Sequence, residues 1–247
     1  MLIRWSDQGD PSYWTPSATN QAGFTYLSHG SEIVTALQAR QEILTFTDSS
    51  VYSLQYVGAP VVWQVQLVGE NTSIASQNAV AYANGVAYWM GVDKFYKYDG
   101  RSQTLNCDLR QFVFENINKT QFDQVYAGTN EGFNEVWWFY VSQSGSQADP
   151  ANPQVDKYVI YNYLDRVWYY GTINRTAWLD SGIRQNPMGS YIANLTDLQT
   201  NKPLTNPIGK VLYHEVGNDD ASGLTVVPIE AYVQSSDFDI GDGHNFG

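Results

Sequence analysis

Apolar and polar residues alternate most clearly between Asn78 and Asp108, where short apolar-aromatic runs are punctuated by turn residues. Ala79 to Ala83 is a first run. Asn84-Gly85 follows, the pair that a two-residue type I′ hairpin demands because both central residues need φ > 0. Val86 to Met90 returns antiparallel, Gly91-Val92-Asp93 turns again, and Phe95 to Tyr98 is a third run of residues suited to a pleated surface. Asp99-Gly100 turns into a fourth strand, Gln103 to Leu109. Four antiparallel strands in this space predict one blade of a β-propeller.

The rest of the chain repeats the pattern. Ile33 to Ala39, Ile43 to Thr47, Val51 to Val57 and Val61 to Val68 form one unit, broken at Arg40-Gln41, Asp48-Ser49-Ser50 and Gly58-Ala59-Pro60. A later unit comprises Gln124 to Gly128, Glu135 to Val141, Tyr158 to Tyr163 and Val167 to Ile173. A looser one runs from Ala177 through Ser190 to Leu195, Lys210 to Val216 and Pro228 to Gln234. The second-strand markers Phe46, Trp89, Trp138 and Ile192 recur at intervals of 43, 49 and 54 residues, within the range of propeller repeats once the loops are allowed for.

The expectation is therefore all-β: about four four-stranded antiparallel blades over residues 32–68, 78–110, 122–173 and 177–236, in a ring that this chain leaves incomplete. An irregular segment with one strand, Leu2 to Trp5, precedes them over residues 1–31, its Tyr13-Trp14 tucked against a blade edge. A β-sandwich or two stacked barrels also offer short strands at regular spacing. Asp108 to Lys119 is the one candidate helix, and Ser142 to Pro153 and Asp197 to Pro207 read as exposed loops.

Composition sharpens this. The 247 residues include 18 Tyr, 8 Trp and 10 Phe but are only 15% charged, far from a disordered composition. Thirteen Lys and Arg against 25 Asp and Glu give a net charge of −12, which opposes nucleic-acid binding over the general surface while suiting a wall that DNA slides past. Cys107 is the only cysteine, so no internal disulfide and no cysteine-based metal site can form. No apolar run is long enough to predict a membrane-spanning segment.

Candidate chemistry is sparse. His29, His214 and His244 lie in three segments without metal-ligand spacing, and read as surface or capping residues. Asp237, Asp239 and Asp242 resemble the start of a calcium loop, but Gly241 and Asp242 are in the reverse of the required order. Ser6-Asp7-Gln8-Gly9-Asp10-Pro11 with Trp14 only partly matches the Asp-box of sialidases, and Arg4, Arg40, Arg101, Arg110, Arg166, Arg175 and Arg184 show no grouping for a substrate carboxylate. The string Trp137-Trp138-Phe139-Tyr140 is a candidate sugar or protein platform, of which at least one face must be core. No catalytic, cofactor-binding or metal-binding residue is assigned, and no enzyme activity or cofactor is expected.

Several stretches carry a family resemblance: Ile3 to Pro11 with Trp14-Thr15-Pro16, Phe46 to Tyr52, Tyr88 to Gly91, Phe95 to Gly100, Phe133 to Tyr140, and Tyr161-Asn162-Tyr163. Over most of residues 3–173 the chain resembles the tail nozzle, or tail-stabilisation, proteins of short-tailed bacteriophages. The resemblance implies a structural virion protein made in the bacterial host cytoplasm and built around a β-propeller. It implies a homo-oligomeric, six-fold ring below the portal and adaptor, with other tail proteins as partners and DNA passing through the lumen without specific binding. Family members are much longer, so the resemblance also implies a fragment. A receptor- or glycan-binding tail protein is the alternative, and a glycoside hydrolase on a β-propeller the remote one.

Overall fold

Asn84 and Gly85 adopt φ of +49° and +81°, the left-handed pair expected of the hairpin turn between them. The computed structural model describes residues 1–148, 153–180, 182, 185–193, 208–220, 226–229, 238–239 and 245–246. Strands dominate. After a hairpin of β1 (Leu2–Trp5) and β2 (Gly23–Tyr26) come three four-stranded antiparallel sheets, each a simple meander. The first contains β3 (Ile33–Gln38), β4 (Glu42–Thr47), β5 (Ser50–Gly58) and β6 (Val62–Glu70). The second contains β7 (Val80–Ala83), β8 (Val86–Met90), β9 (Phe95–Tyr98) and β10 (Ser102–Leu105). The third contains β11 (Tyr126–Asn130), β12 (Glu135–Tyr140), β13 (Lys157–Asn162) and β14 (Val167–Thr172).

A fourth sheet has three strands among the described residues, β15 (Ala177–Leu179), β16 (Met188–Ala193) and β17 (Ile208–Tyr213). The strand expected over Pro228 to Gln234 does not join it in the described part. Val227–Pro228 instead pairs with Asp219–Asp220 in a separate two-stranded ladder, and residues 230–237 lie outside the described residues. The last pairing joins Phe238–Asp239 to Asn245–Phe246. The Asp197 to Pro207 insert also lies outside the described residues.

Three other expectations change. The second sheet's last strand stops at Leu105, because the chain turns into helix α1 (Arg110–Asn116), which buries Val113 against the core. The Ser142 to Pro153 connection contains a short helix, α2 (Gln143–Ala148), anchored where Asp156 accepts from the Ser142 backbone N–H at 2.7 Å and from its hydroxyl at 2.6 Å. Tyr13 and Trp14 are exposed rather than tucked against a sheet, the Trp14 indole donating locally to the Pro11 carbonyl.

Alternation within the strands explains how the sheets stack. On β8, Trp89 points toward the first sheet, where it meets Phe46 edge-on at 5.2 Å, while Tyr88 points toward Tyr161 of the third. On β12, Val136, Trp138 and Tyr140 enter the main core with the second sheet, whereas Trp137 and Phe139 pack on the other side with Tyr126, Ile160 and Trp178. Both faces of the second strands β8 and β12 are therefore buried, which is why these two read as near-continuous apolar runs. The outer face of the first sheet is covered by the β1–β2 hairpin, with Ile3 and Leu27 against Tyr52, Leu54 and Trp63.

Indole N–H groups tie the stack together. Trp138 donates to Ala79 at 3.0 Å, Trp168 to Asn106 at 2.8 Å and Trp178 to Thr129 at 2.8 Å, each indole reaching a backbone carbonyl of the preceding sheet or its exit. Trp138 is fully buried and Trp168 and Trp178 partly so, and each bond gives the ring's one polar group a partner.

Candidate functional site

The first strands of successive sheets lie beside one another, β3 by β7, β7 by β11 and β11 by β15. Between β7 and β11 the approach is a parallel bridge at Asn78 and Tyr126, with the Ala127 N–H donating to the Asn78 carbonyl at 2.7 Å. The Ser76 hydroxyl adds a bond to the Val125 carbonyl. A cavity of about 740 Å³ opens where all four first strands converge, with Leu37, Val80, Ala127 and Trp178 among its walls.

Its polar lining consists of the amides of Gln77, Asn78, Gln124 and Gln154, the hydroxyls of Thr35 and Thr176, and the carboxylate of Asp123. No Lys or Arg appears in the described lining. The two large rings there are committed to packing. Trp178 stacks on Trp137 at 5.0 Å and meets His214 at 4.7 Å, while Tyr126 stacks on Phe139 at 4.7 Å and donates its hydroxyl to the Arg175 carbonyl at 3.0 Å. Asp123 is the single carboxylate of the described lining. Such a surface hydrogen-bonds, but it lacks the pair of facing carboxylates that glycoside hydrolysis uses.

A second polar concentration lies where the third and fourth sheets meet. Glu135 accepts from the Trp137 indole at 2.9 Å, and the Asn130 amide reaches both Glu135 at 3.4 Å and Glu215 at 3.5 Å. Burial, reinforced by the Glu215 charge, pushes the Glu135 carboxyl above its ordinary range. Asp180 accepts from the Thr129 hydroxyl at 2.6 Å and from the Glu131 N–H at 3.1 Å. Deeper in the same interface, Arg175 donates from Nε to His214 Nε2 at 2.9 Å. Burial and the adjacent guanidinium hold the His214 pKa down at about 4, so the ring is neutral at pH 7 and can accept.

A third concentration joins the first and second sheets. Glu42 accepts from the Ser53 hydroxyl and from Tyr98 Oη at 3.1 Å, with burial and that carboxylate pushing the Tyr98 phenol up to about 12.

The residues weighed from sequence fall differently. His29 is on the surface, in contact with the Ser28 hydroxyl at 2.9 Å, as expected of an isolated histidine. His214 is not a surface group; it packs between Trp178 and Arg175. His244, Asp237, Gly241, Asp242 and Gly243 lie outside the described residues, and Asp239 sits in a strand. Asp7 and Asp10 perform turn chemistry, accepting from Gln8 and Gln21 and from Ser12 respectively.

All four rings of Trp137-Trp138-Phe139-Tyr140 are buried, so this string is core on both faces and offers no platform. Burial raises the Cys107 thiol to about 12, leaving it protonated and inert at neutral pH. The convergence of Asn130, Glu135, Arg175, His214 and Glu215 was not visible in sequence, because as many as 85 residues separate its partners. Among the described residues no cluster of three or more His, Cys, Asp or Glu could hold a metal ion, and no helix is long and apolar enough to cross a membrane.

Neither models of known protein families nor curated protein sequences match this chain.

Proposed function

We propose that this chain is a non-enzymatic structural component of the tail of a short-tailed bacteriophage, a β-propeller that assembles with copies of itself into the ring through which the genome leaves. The observation that carries this reading is a pair of unlike apolar surfaces, one on the β1–β2 hairpin and one on the fourth sheet. On the β1–β2 hairpin, Leu2, Phe24 and Tyr26 project away from the core, with Phe24 and Tyr26 in edge contact at 5.7 Å. On the fourth sheet, Leu179, Val211 and Tyr213 are exposed. Two different surfaces that each need cover suit a heterologous, head-to-tail contact, and such contacts generate closed rings when the rotation permits.

The four first strands converging on one cavity support the propeller as the architecture of each subunit. A cavity of that size suits a small molecule and not a duplex, so the genome conduit in this reading lies between subunits. A net charge of −12 then favours a wall that phosphates do not grip.

Electron microscopy of the full-length protein, with mass determination in solution, tests the proposal. Six-fold rings with an open centre are the expected result, and replacing Phe24 and Tyr26 by serine should disperse them. A monomer that remains monomeric with its adaptor and binds glycans would replace this reading with that of a receptor-binding tail protein.

A further inference from the structure

Arg175 is 7% exposed between the third and fourth sheets, in a chain with nearly twice as many acidic as basic residues. Its Nε donates to His214 and its Nη1 to the Asn174 carbonyl at 2.7 Å, and its guanidinium carbon lies 5.4 Å from the centroid of the Tyr191 ring. All three neighbours are neutral. Among the described residues no carboxylate comes within ion-pair distance of it. Asp220 acts on it only through its field, and burial still holds the guanidinium below its ordinary pKa. A cation removed from water without an adjacent counter-charge is costly, and interiors avoid it unless the charge is used.

A cavity of about 780 Å³ opens beside this guanidinium, within the usual range for small-molecule sites. Asn174, Tyr191 and His214 line its polar part, Ile173 and Leu212 its apolar part, and the exposed carboxylates of Glu215, Asp219 and Asp220 complete the wall. Two lining residues carry buried polar atoms with no hydrogen-bond partner, the Tyr191 hydroxyl and the Asn174 side-chain oxygen. Buried polar atoms are nearly always paired, so an orphaned donor and an orphaned acceptor near a cation that has no ion pair among the described residues form a set with a missing member. Gly189 keeps the set in place, since a Cβ there would fall 2.7 Å from Arg175 Cδ and 2.9 Å from His214 Nε2.

We propose that this cavity binds a small organic monocarboxylate bearing hydroxyl or ammonium groups at its other end. The carboxylate supplies the counter-charge to Arg175 and an acceptor for the Tyr191 hydroxyl. The donor groups at the far end meet Asn174 Oδ1 and the carboxylate side of the wall. Glu215, Asp219 and Asp220 make the site unsuitable for a dianion such as phosphate, whose second charge they repel. A sugar acid and an amino acid share the required chemistry.

Titration calorimetry on the full chain separates these sources, with D-glucuronate and L-serine as probes and D-glucose and inorganic phosphate as controls. Saturable binding of glucuronate, of serine or of both, with glucose and phosphate silent, is expected. Tyr191→Phe should weaken that binding by roughly tenfold while leaving the melting temperature unchanged or higher, because it deletes an orphaned hydroxyl. Arg175→Met should abolish binding, and where that variant does not fold, Tyr191→Phe carries the test. Absence of binding by both carboxylates, equal binding of glucose, equal binding of phosphate, or indifference to Tyr191→Phe would each overturn the proposal. Ring assembly is unaffected by any of these outcomes.

Discussion

The Trp138 indole N–H donates to the Ala79 carbonyl at 3.0 Å across 59 residues of sequence, joining the second strand of the third sheet to the entrance of the second sheet's first strand. Ala79 already accepts from the Met90 N–H at 3.1 Å, so its carbonyl is doubly engaged in a fully buried position. Trp138→Phe keeps a ring in the core and leaves that carbonyl with one partner, and should cost about 1–2 kcal/mol. Trp138→Ala adds a cavity beside Phe95 and should cost about 3–5 kcal/mol. Urea unfolding midpoints distinguish the two, and equal losses would show that the indole bond contributes nothing beyond ring volume.

A close approach governs the junction of the third and fourth sheets. A Cβ on Gly128 would sit 2.5 Å from Trp178 Cδ1, and Trp178 cannot swing aside without losing its stack on Trp137 and its bond to Thr129. Gly128→Ala should therefore destabilise by about 1–3 kcal/mol, as overpacking does, and should alter the near-ultraviolet circular dichroism. Gly132→Ala, where the nearest atom is 4.0 Å away, should change stability by less than about 1 kcal/mol.

The strands of the first three sheets were legible in the sequence because each apolar run is short and bounded by residues with turn chemistry, as at Asn84-Gly85. Strand β2 was not, since Gly23-Phe24-Thr25-Tyr26 becomes a strand only by pairing with Leu2 to Trp5 across a long irregular loop. Helix α2 escaped for a related reason: its small polar residues have weak helix propensity, and it is anchored by Asp156 from beyond the loop. The burial of both faces of Trp137 to Tyr140 was half legible. Alternation places one face in a core, but only the fourth sheet, packing through Trp178, buries the other. Nothing in the local sequence marks Arg175 or Glu135 as unusual, because their environments are assembled from His214 and Glu215 on a distant segment.

Glu135 provides a pH-dependent prediction. Its folded pKa is raised, so the native state disfavours its charge, and the penalty accrues as pH rises above the ordinary carboxyl value of 4.5. Glu135→Gln removes that charge and its repulsion with Glu215 while keeping an oxygen for the Trp137 indole. The variant should be more stable than the parent at pH 7, and its advantage should shrink to nothing as the pH falls below 4.5. An advantage that persists unchanged at low pH would assign the effect to packing instead.

His214 has the opposite dependence. Its folded pKa, about 4, lies below the ordinary 6.5, because burial and the Arg175 guanidinium both disfavour the imidazolium. Protonation therefore favours the unfolded chain. The stability associated with the neutral ring is fully present above pH 6.5 and is lost progressively as pH falls toward about 4. Allowing for partial exposure, the loss should be on the order of 1–3 kcal/mol. Carboxylates titrate in the lower part of this window, so the parent alone does not isolate the effect. His214→Gln does, since its amide oxygen can accept from Arg175 Nε without titrating. Between pH 7 and pH 5 the parent's unfolding midpoint should fall more steeply than that of His214→Gln, and Arg175 is the reason the two curves should differ. Parallel curves would mean that the ring protonates without cost, and that the guanidinium is not its neighbour in solution.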